Sequence, residues 1–195
     1  GNATHPQETM IICEAAGFEI VLVETIGTGQ SESHVASMVD FFLVLMLTGA
    51  GDELQGIKKG ILELADAIVI NKADGDNIEK ARETKKIYES SLSIVKQDSP
   101  VWKVPVLTCS SINKDGIVDI WKTITDYRSK MEASGEFAQK RRRKSLNWMW
   151  ALVEEGLKER FYKRSEDKVL KLTTAIKEGR MSPTDAALEL LDYDT

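Results

Sequence analysis

Cysteine and histidine are scarce in this sequence, which contains two residues of each. Cys13 and Cys109 lie far apart, so a disulfide framework and a cysteine metal set are both excluded. We expect both cysteines to act as small hydrophobic residues in buried elements. His5 and His34 share no spacing with a cysteine or carboxylate that suits a metal. The sequence also has no Gly-x-Ser-x-Gly turn, so a zinc site or a serine hydrolase of that type is not expected.

Long hydrophobic runs and an excess of positive charge are also missing. The longest apolar run, residues 41–47, is far too short to span a bilayer. The formal net charge of −5 argues against a general binder of nucleic acid or of an anionic membrane. No secretory signal is visible, so we expect a soluble protein of a reducing compartment. The 42% of apolar residues in 195 positions are enough for a substantial core.

The first two thirds of the sequence alternate short apolar runs with helical patterns. The apolar runs are rich in valine and isoleucine with little polar alternation, which is typical of strands buried on both faces of a parallel sheet. These runs cover residues 20–23, 41–46, 67–70 and 104–108. The helical patterns cover residues 8–16, 33–39, 57–65, 77–96 and 116–133, and Gly17 is expected to end the first of them. The alternation predicts a doubly wound, mostly parallel α/β domain with ligand sites outside the carboxyl ends of its strands.

The sequence changes in character after residue 133, because no strand-like run follows. The apolar positions there recur with 4-3-4 spacing as the stripe of one long helix: Leu146, Trp150, Val153 and Leu157. Ser182 and Pro183 predict the N-terminus of a last helix over residues 184–191. We therefore divide the chain into an α/β domain, residues 1–133, and a helical arm, residues 134–195.

The clearest chemical motif is Asn-Lys-x-Asp, which directly follows the run at residues 67–70. Asp74 at a strand end can accept both N–H groups on the Watson–Crick edge of guanine, whereas adenine leaves that carboxylate unpaired. The stem of Lys72 can cover the flat face of the base, and Asn71 can tie neighbouring loops together. The alternative interpretation is a polar surface turn.

Ser110, Ser111 and Ile112 follow the next predicted strand in the same way. Small residues there allow backbone N–H groups to approach a base oxygen closely, although two serines after a strand also suit an ordinary turn. The position one strand and one helix after Asn-Lys-x-Asp supports a shared site for the two segments.

Two glycine-containing segments follow the first two predicted strands. Glu24 begins the first segment and can hold a Mg²⁺-bound water, while the backbone N–H of Gly27 can approach a terminal phosphate. The second segment, residues 49–60, carries four glycines and mixed charges that suit a contact with a partner protein. Its candidate partner-coupling residues are Asp52, Glu53, Gln55, Lys58 and Lys59. A strand-to-helix turn and a solvated connection are the alternatives.

Together these segments resemble the MeaB/ArgK family of GTPases. Residues 23–32 look like its Walker B and switch II segment, with Glu24 in place of the usual Asp, and residues 49–60 are similar to its third switch. Residues 71–74 look like its guanine motif. Ser110-Ser111-Ile112 fits its Ser-Ala-x motif, with Ser111 in place of Ala. Residues 133–150 match the start of its helical dimerisation arm.

The resemblance implies a G domain that binds GTP and GDP with Mg²⁺. The nucleotide-binding residues would be Asn71, Lys72, Asp74, Ser110, Ser111 and Ile112. Glu24 and Gly27 would form the catalytic segment, with Glu24 holding Mg²⁺ through water. The family hydrolyses GTP and serves adenosylcobalamin-dependent methylmalonyl-CoA mutase as a chaperone, gating cofactor loading and protecting the mutase. A cytoplasmic location is expected, or the mitochondrial matrix in a eukaryote.

The 195 residues do not contain the Gly-x-x-x-x-Gly-Lys-Ser/Thr motif with which such GTPases cradle phosphates. Gly1 looks like the tail of the family's switch I, so we expect the phosphate loop and the upstream Mg²⁺ ligands to precede it in a longer protein. The chain alone is then expected to bind GTP weakly and to hydrolyse it negligibly. One alternative is a non-catalytic dimerising and partner-binding module. Another is a transport-associated kinase or ATPase, against which the guanine motif argues.

The arm carries two further features. Trp148 and Leu152 lie on a second apolar face of its helix, beyond the stripe expected to pack locally, and this face predicts a homodimer. Residues 140–144 are five consecutive cations. We interpret this run as a solvated helix face, with an acidic partner surface as the alternative.

Overall fold

A computed structural model of the chain describes residues 6–25, 31–48, 59–94 and 99–191. Within these ranges the chain forms seven α-helices and three β-strands. They are α1 (Pro6–Ala15), α2 (Ser31–Met38), β1 (Leu43–Leu47), α3 (Lys59–Leu64), β2 (Ala67–Asn71), α4 (Ile78–Ile94), β3 (Val106–Thr108), α5 (Ile117–Ser134), α6 (Glu136–Lys177) and α7 (Pro183–Leu191). A 3₁₀ turn, Gly75–Asn77, leads into α4.

The three strands form one parallel sheet in the order β1-β2-β3, which confirms the predicted α/β fold. Leu43 pairs with Ala67, and Ile68 pairs with Val106. The central strand β2 is buried on both faces, as its continuous apolar sequence predicts. In β1, by contrast, Leu45 and Leu47 are exposed, so the prediction of burial on both faces is wrong for this strand.

Residues 20–23 do not form a strand, which corrects a prediction made from their apolar sequence. The segment lies outside the sheet, and Ile20 and Leu22 are 55% and 89% exposed. An apolar run becomes a strand only when a neighbour accepts and donates its backbone hydrogen bonds. None of the three described strands pairs with this segment.

The main core lies between the sheet and the helices that follow its strands. Ile68 and Ile70 point to the same face of β2 because side chains alternate along a strand. They pack in one cluster with residues of α2, α3 and α4, including Ala36, Leu62 and Tyr88. A second cluster places Tyr127 of α5 edge-to-face against Trp102, with ring centroids 5.0 Å apart.

Backbone geometry explains where the first helix ends. Gly17 follows α1 with a φ of +88°, a conformation that costs glycine little. The Phe18 N–H donates to the Cys13 carbonyl at 3.1 Å, and the Gly17 N–H donates to the Glu14 carbonyl at 3.0 Å. This is the predicted glycine C-cap.

The two cysteines differ in burial. Cys13 is only half-buried, contrary to expectation, whereas Cys109 is buried and its burial raises the pKa of the thiol.

The chain divides into two compact units between Lys144 and Ser145, inside α6. This structural division comes later in the chain than the sequence boundary at residue 134. In the second unit, Leu172, Ala175 and Ala186 are buried. The predicted cap of α7 is present, since the Asp185 N–H donates to the Ser182 hydroxyl at 3.1 Å.

The apolar stripe of α6 does not pack locally as expected. Its members are 40–60% exposed: Leu146, Trp150, Val153 and Leu157. On the second predicted face, Trp148 is half-buried and Leu152 is 36% exposed.

Among the described helices, none combines the length and hydropathy needed to cross a membrane.

Candidate nucleotide-binding site

Two loops meet at the carboxyl ends of β2 and β3. The Cys109 N–H donates to the Ile70 carbonyl at 2.9 Å, which continues the pairing of the two strands beyond β3. The Ala73 N–H donates to the Cys109 carbonyl at 2.9 Å, which holds the first loop against the second. The Asn-Lys-x-Asp segment and the Ser-Ser-Ile segment are therefore neighbours in space.

Asn71 joins the two loops through its side-chain oxygen. Asn71 Oδ1 accepts from the Lys72 N–H at 2.7 Å, from the Ser111 hydroxyl at 3.0 Å and from the Ser111 N–H at 3.3 Å. Lys72 has a φ of +60°, which is uncommon for a residue with a side chain. The turn that exposes Lys72 is thus held by the amide of its neighbour, in agreement with the loop-tying role predicted for Asn71.

Asp74 is held by the other serine. The Ser110 hydroxyl donates to Asp74 Oδ2 and accepts from the Asn113 N–H at 3.1 Å. Ser110 is fully buried, so this contact is protected from water. Asp74 Oδ1 accepts no hydrogen bond from the described residues. The result is a half-buried carboxylate with one oxygen held by Ser110 and, within the described ranges, one oxygen without a protein partner.

Gly116 closes the second loop. Its φ is +75°, and a Cβ built at this position would lie 2.4 Å from the Thr108 carbonyl oxygen. The Ser110 N–H donates to the Asp115 carbonyl at 3.0 Å across the same turn. The sequence identified Gly116 only as the start of a helix. Its close approach to β3 makes glycine obligatory and places Ser110, Ser111 and Ile112 beside Asn71 and Asp74.

The remaining predicted site residues are not brought into this arrangement. Ile112 and Lys72 are exposed, Ile112 to 82%, and no described contact fixes either side chain over a base. Glu24 is exposed in the segment outside the sheet. Gly27, Asp52, Glu53, Gln55 and Lys58 lie outside the described residues, as does the side chain of Lys59, which begins α3.

The described residues do not assemble a magnesium site. No group of three or more His, Cys, Asp and Glu side chains suited to a metal occurs among them. A lone exposed carboxylate at Glu24 does not supply the ligand set that Mg²⁺ requires. The role predicted for Glu24 therefore stays a prediction.

An ion-pair network that the sequence did not predict lies at the amino-terminal ends of the strands. Lys140 of α6 donates to both carboxylate oxygens of Asp66, at 3.0 and 2.9 Å, and to the Tyr127 hydroxyl at 2.6 Å. Asp66 also accepts from the Phe42 N–H at 2.9 Å. Burial and the adjacent Asp66 carboxylate raise the pKa of Tyr127 above its usual range.

Two further cations of the same run bind residues of α1 and α2 and the segment that follows α2. Arg141 pairs with Asp40 and with Glu14, and its hydrogen bond to Asp40 raises the pKa of the guanidinium. Lys144 donates to the Ala36 carbonyl at 2.6 Å and to the Val39 carbonyl. Burial and the charge of Lys140 lower the pKa of Lys144 to about 8.

The interpretation of residues 140–144 as a solvated face is therefore wrong for Lys140 and Lys144, which are half-buried, whereas Arg141 remains 46% exposed although it is paired. Lys140 and Lys144 lie at positions i and i+4, which share one side of a helix. The run itself gives no signal for these contacts, because five consecutive cations occupy every side of a helix.

The parallel sheet carries Asn-Lys-x-Asp and a serine pair that are joined at adjacent strand ends. Comparison with known families gives the particular group. The family described as "Methylmalonyl Co-A mutase-associated GTPase MeaB" matches residues 1–166, and the chain belongs to this family.

Individual relatives agree with this assignment. The chain is 41% identical over 195 residues to "GTPase ArgK" of Escherichia coli, covering 99% of this chain and 59% of that protein. It is 41% identical over 186 residues to "Methylmalonic aciduria type A homolog, mitochondrial" of Mus musculus, covering 94% of this chain and 45% of that protein. A crystal structure of an "LAO/AO transport system kinase" matches with a TM-score of 0.77 and 39% identity, over 96% of this chain and 61% of that chain. The chain thus spans less than two thirds of the length of each of these relatives.

Proposed function

We propose that this chain is the guanine-recognising and partner-binding part of a GTPase that acts as a chaperone for adenosylcobalamin-dependent methylmalonyl-CoA mutase. The single observation that carries the nucleotide assignment is the carboxylate of Asp74, fixed by buried Ser110 and left with one oxygen that no described residue contacts as a donor. The mutase is proposed from the description of the matching family and from the name of the mouse relative.

Guanine fits Asp74 for a simple chemical reason. The ring N1–H and the exocyclic amine of guanine are two adjacent donors, and a carboxylate is an acceptor through both oxygens. Because Ser110 already holds one oxygen of the carboxylate, less ordering of the side chain is needed when the base binds. Adenine presents an acceptor at N1, which would face the carboxylate without a hydrogen bond and therefore carries a desolvation cost.

Hydrolysis is proposed for the full-length protein, by which we mean these residues together with the sequence that flanks them where they are encoded. The chain itself contains no Gly-x-x-x-x-Gly-Lys-Ser/Thr motif. Glu24 and Gly27 are the proposed catalytic segment, and residues 49–60 are the proposed contact with the mutase. GTP hydrolysis at the first segment would then be communicated to the mutase through the second, which would gate cofactor loading.

The guanine assignment is tested by exchanging the acceptor for a donor at Asp74. Xanthine carries a carbonyl oxygen where guanine carries its amine, so Asp74→Asn should gain affinity for XTP and lose affinity for GTP. An unsatisfied polar group costs about 1–3 kcal/mol, so changes of roughly tenfold to a hundredfold are expected. Competition binding of GTP, XTP and ATP to the full-length protein measures them.

Two further variants serve as controls for that experiment. Asp74→Ala should lose GTP without gaining XTP, which separates base recognition from damage to the loop. Asp76→Asn changes an exposed carboxylate two residues away and should leave all three affinities within about twofold. If Asp74→Asn binds GTP as tightly as wild type, the segment is only a surface turn and the proposal fails.

A kinase or ATPase acting in transport is the second candidate, favoured by the name of the protein in the similar crystal structure. The same binding experiment separates it from the proposed function. Asp74 can pair with two adjacent donors of guanine but with at most the 6-amino group of adenine, so the proposed function predicts a preference for GTP. A preference for ATP in the wild-type protein would instead support the kinase.

The arm is proposed to form a homodimer through the exposed stripe of α6. Four large apolar side chains with 4-3-4 spacing face solvent there, and contiguous exposed apolar surface usually meets a partner. A second copy of the chain is the proposed occupant because the family resemblance includes a dimerisation arm.

Sedimentation of the full-length protein at tens of micromolar tests the dimer. Trp150→Glu places a charge on the stripe, at a side chain 59% exposed, and should yield a monomer. Ala151→Glu adds the same charge at an exposed position beside the stripe and should leave the dimer intact. A monomeric wild type, or a Trp150→Glu variant of unchanged mass, contradicts the proposal.

A further inference from the structure

The oxygen of the Asn71 side chain is saturated by donors from the two loops. It accepts from the Lys72 N–H at 2.7 Å, from the Ser111 hydroxyl at 3.0 Å and from the Ser111 N–H at 3.3 Å. The buried Cys109 thiol adds a weak contact at 3.4 Å. An amide NH₂ group could not accept these bonds, so the surrounding donors determine which end of the amide is the oxygen.

This arrangement fixes where the other end of the amide lies. Asn71 Nδ2 donates to no group among the described residues, and Asn71 is only half-buried. Two amide N–H groups are therefore held at the edge of the site and are available to an acceptor on a bound molecule. They keep this position only as long as the oxygen is held.

Of the three contacts that cross from the second loop to the Asn71 oxygen, the hydrogen bond from the Ser111 hydroxyl is the strongest, since the Cys109 thiol is a weak donor. The Ser111 N–H lies at 3.3 Å, beyond the usual range for an N–H···O bond, whereas the hydroxyl at 3.0 Å lies within the O–H···O range. The Lys72 N–H comes from the adjacent residue and does not connect the loops.

We propose that the Ser111 hydroxyl is a positioning group that orients Asn71 for the bound purine and leaves the Ser111 backbone N–H free to donate to the base. The inference rests on the proposed guanine site. When the backbone N–H turns to a base oxygen, the hydroxyl keeps the loops joined. The family's Ser-Ala-x motif has alanine at this position. With alanine, which has no hydroxyl, the single backbone N–H would have to serve both Asn71 and the base.

The Ser111 hydroxyl should therefore increase affinity most for purines that accept a hydrogen bond from Asn71. Guanine carries two acceptors, O6 and N7, away from its amine. N7 can be replaced by carbon without altering the N1–H and amine edge that Asp74 binds. 7-Deaza-GDP is therefore a probe that lacks the acceptor for an oriented Asn71 amide and retains the donors for Asp74.

The experiment measures binding of GDP and 7-deaza-GDP to the full-length protein by competition. Ser111→Ala should weaken GDP by roughly three- to tenfold, the range of one lost hydrogen bond, and 7-deaza-GDP by less than twofold. The preference of the protein for GDP over 7-deaza-GDP should fall by the ratio of these changes. Ser111→Thr keeps a hydroxyl at an exposed position with room for a methyl group and should restore the wild-type preference.

The outcomes are distinguishable. Equal weakening of both nucleotides by Ser111→Ala would show a structural effect on the loop and overturn the proposal, as would unchanged binding of GDP. A wild-type protein that binds GDP no better than ADP would instead overturn the proposed guanine site. A selective loss that Ser111→Thr rescues would establish the positioning role.

Discussion

Replacing Lys140 with methionine should destabilise the first unit more than any other change in the basic run. Lys140 and Asp66 retain only 18% and 15% side-chain exposure, and the ammonium donates to both carboxylate oxygens. Methionine keeps the length of the stem but leaves the carboxylate without its cation.

The magnitude follows from burial. Removing one member of a fully buried pair costs about 3–5 kcal/mol because the remaining charge is uncompensated. Asp66 keeps the Phe42 N–H and some contact with water, so we expect a loss of about 2–3 kcal/mol. With a urea slope of about 2 kcal/mol per molar, the midpoint should fall by roughly 1–1.5 M.

Urea denaturation measures the midpoint, and hydrogen exchange at the β2 amides assigns the loss to the first unit. Arg142→Met is the matched control, since Arg142 lies in the same run and is exposed. It should change the free energy of unfolding by less than about 0.5 kcal/mol. Adding Asp66→Asn to Lys140→Met should recover part of the loss, because the uncompensated charge is then removed. If Lys140→Met behaves like Arg142→Met, the pair does not stabilise the protein and the reasoning is wrong.

Two other substitutions test the backbone and the electrostatics. Gly116→Ala should destabilise the protein by about 2 kcal/mol or more and weaken GTP binding, because its Cβ would meet the Thr108 carbonyl. Gly135→Ala, with a similar φ of +79° and nothing within 4 Å, should cost only about 1 kcal/mol in thermal or urea unfolding, and equal losses would contradict the clash. For Lys144, burial lowers the folded-state pKa to about 8 from 10.5, so above pH 8 the unfolded chain holds more protons and stability should rise with pH until about 10.5. The difference in unfolding free energy between wild type and Lys144→Met should show this rise and stay flat from pH 6 to 7.5, and a difference that stays flat to pH 10 would refute the buried ammonium.

The sequence predicted the sheet well where local pattern and packing agree. A continuous apolar run predicted β2 within one residue, since that strand has a neighbour on each side. The meeting of the two polar loops followed from the parallel sheet alone, because the carboxyl ends of parallel strands lie at one edge. The same logic predicted that Asn71 and Asp74 would lie near Ser110.

Pairing partners and distant contacts could not be obtained in this way. Residues 20–23 have the composition of a strand, but strand formation depends on hydrogen bonds to a neighbour, which composition does not contain. The cations at 140–144 looked solvated because nothing in the run itself shows that the Asp66 carboxylate and three backbone carbonyls lie opposite. The hydroxyl of Ser111 is similar, since its partner Asn71 is 40 residues away in the chain.

Asp66 has a consequence for the order of events during folding. Its carboxylate and carbonyl receive Phe42, Trp102 and Lys140, at sequence separations of 24, 36 and 74 residues. Closing loops of that length is entropically costly, and contacts of high sequence separation slow the search for the native state. Local helices such as α4 can form before this junction closes. Breaking it should then accelerate unfolding far more than it slows folding, so that Asp66 sets the lifetime of the native first unit and not the speed at which that unit is reached.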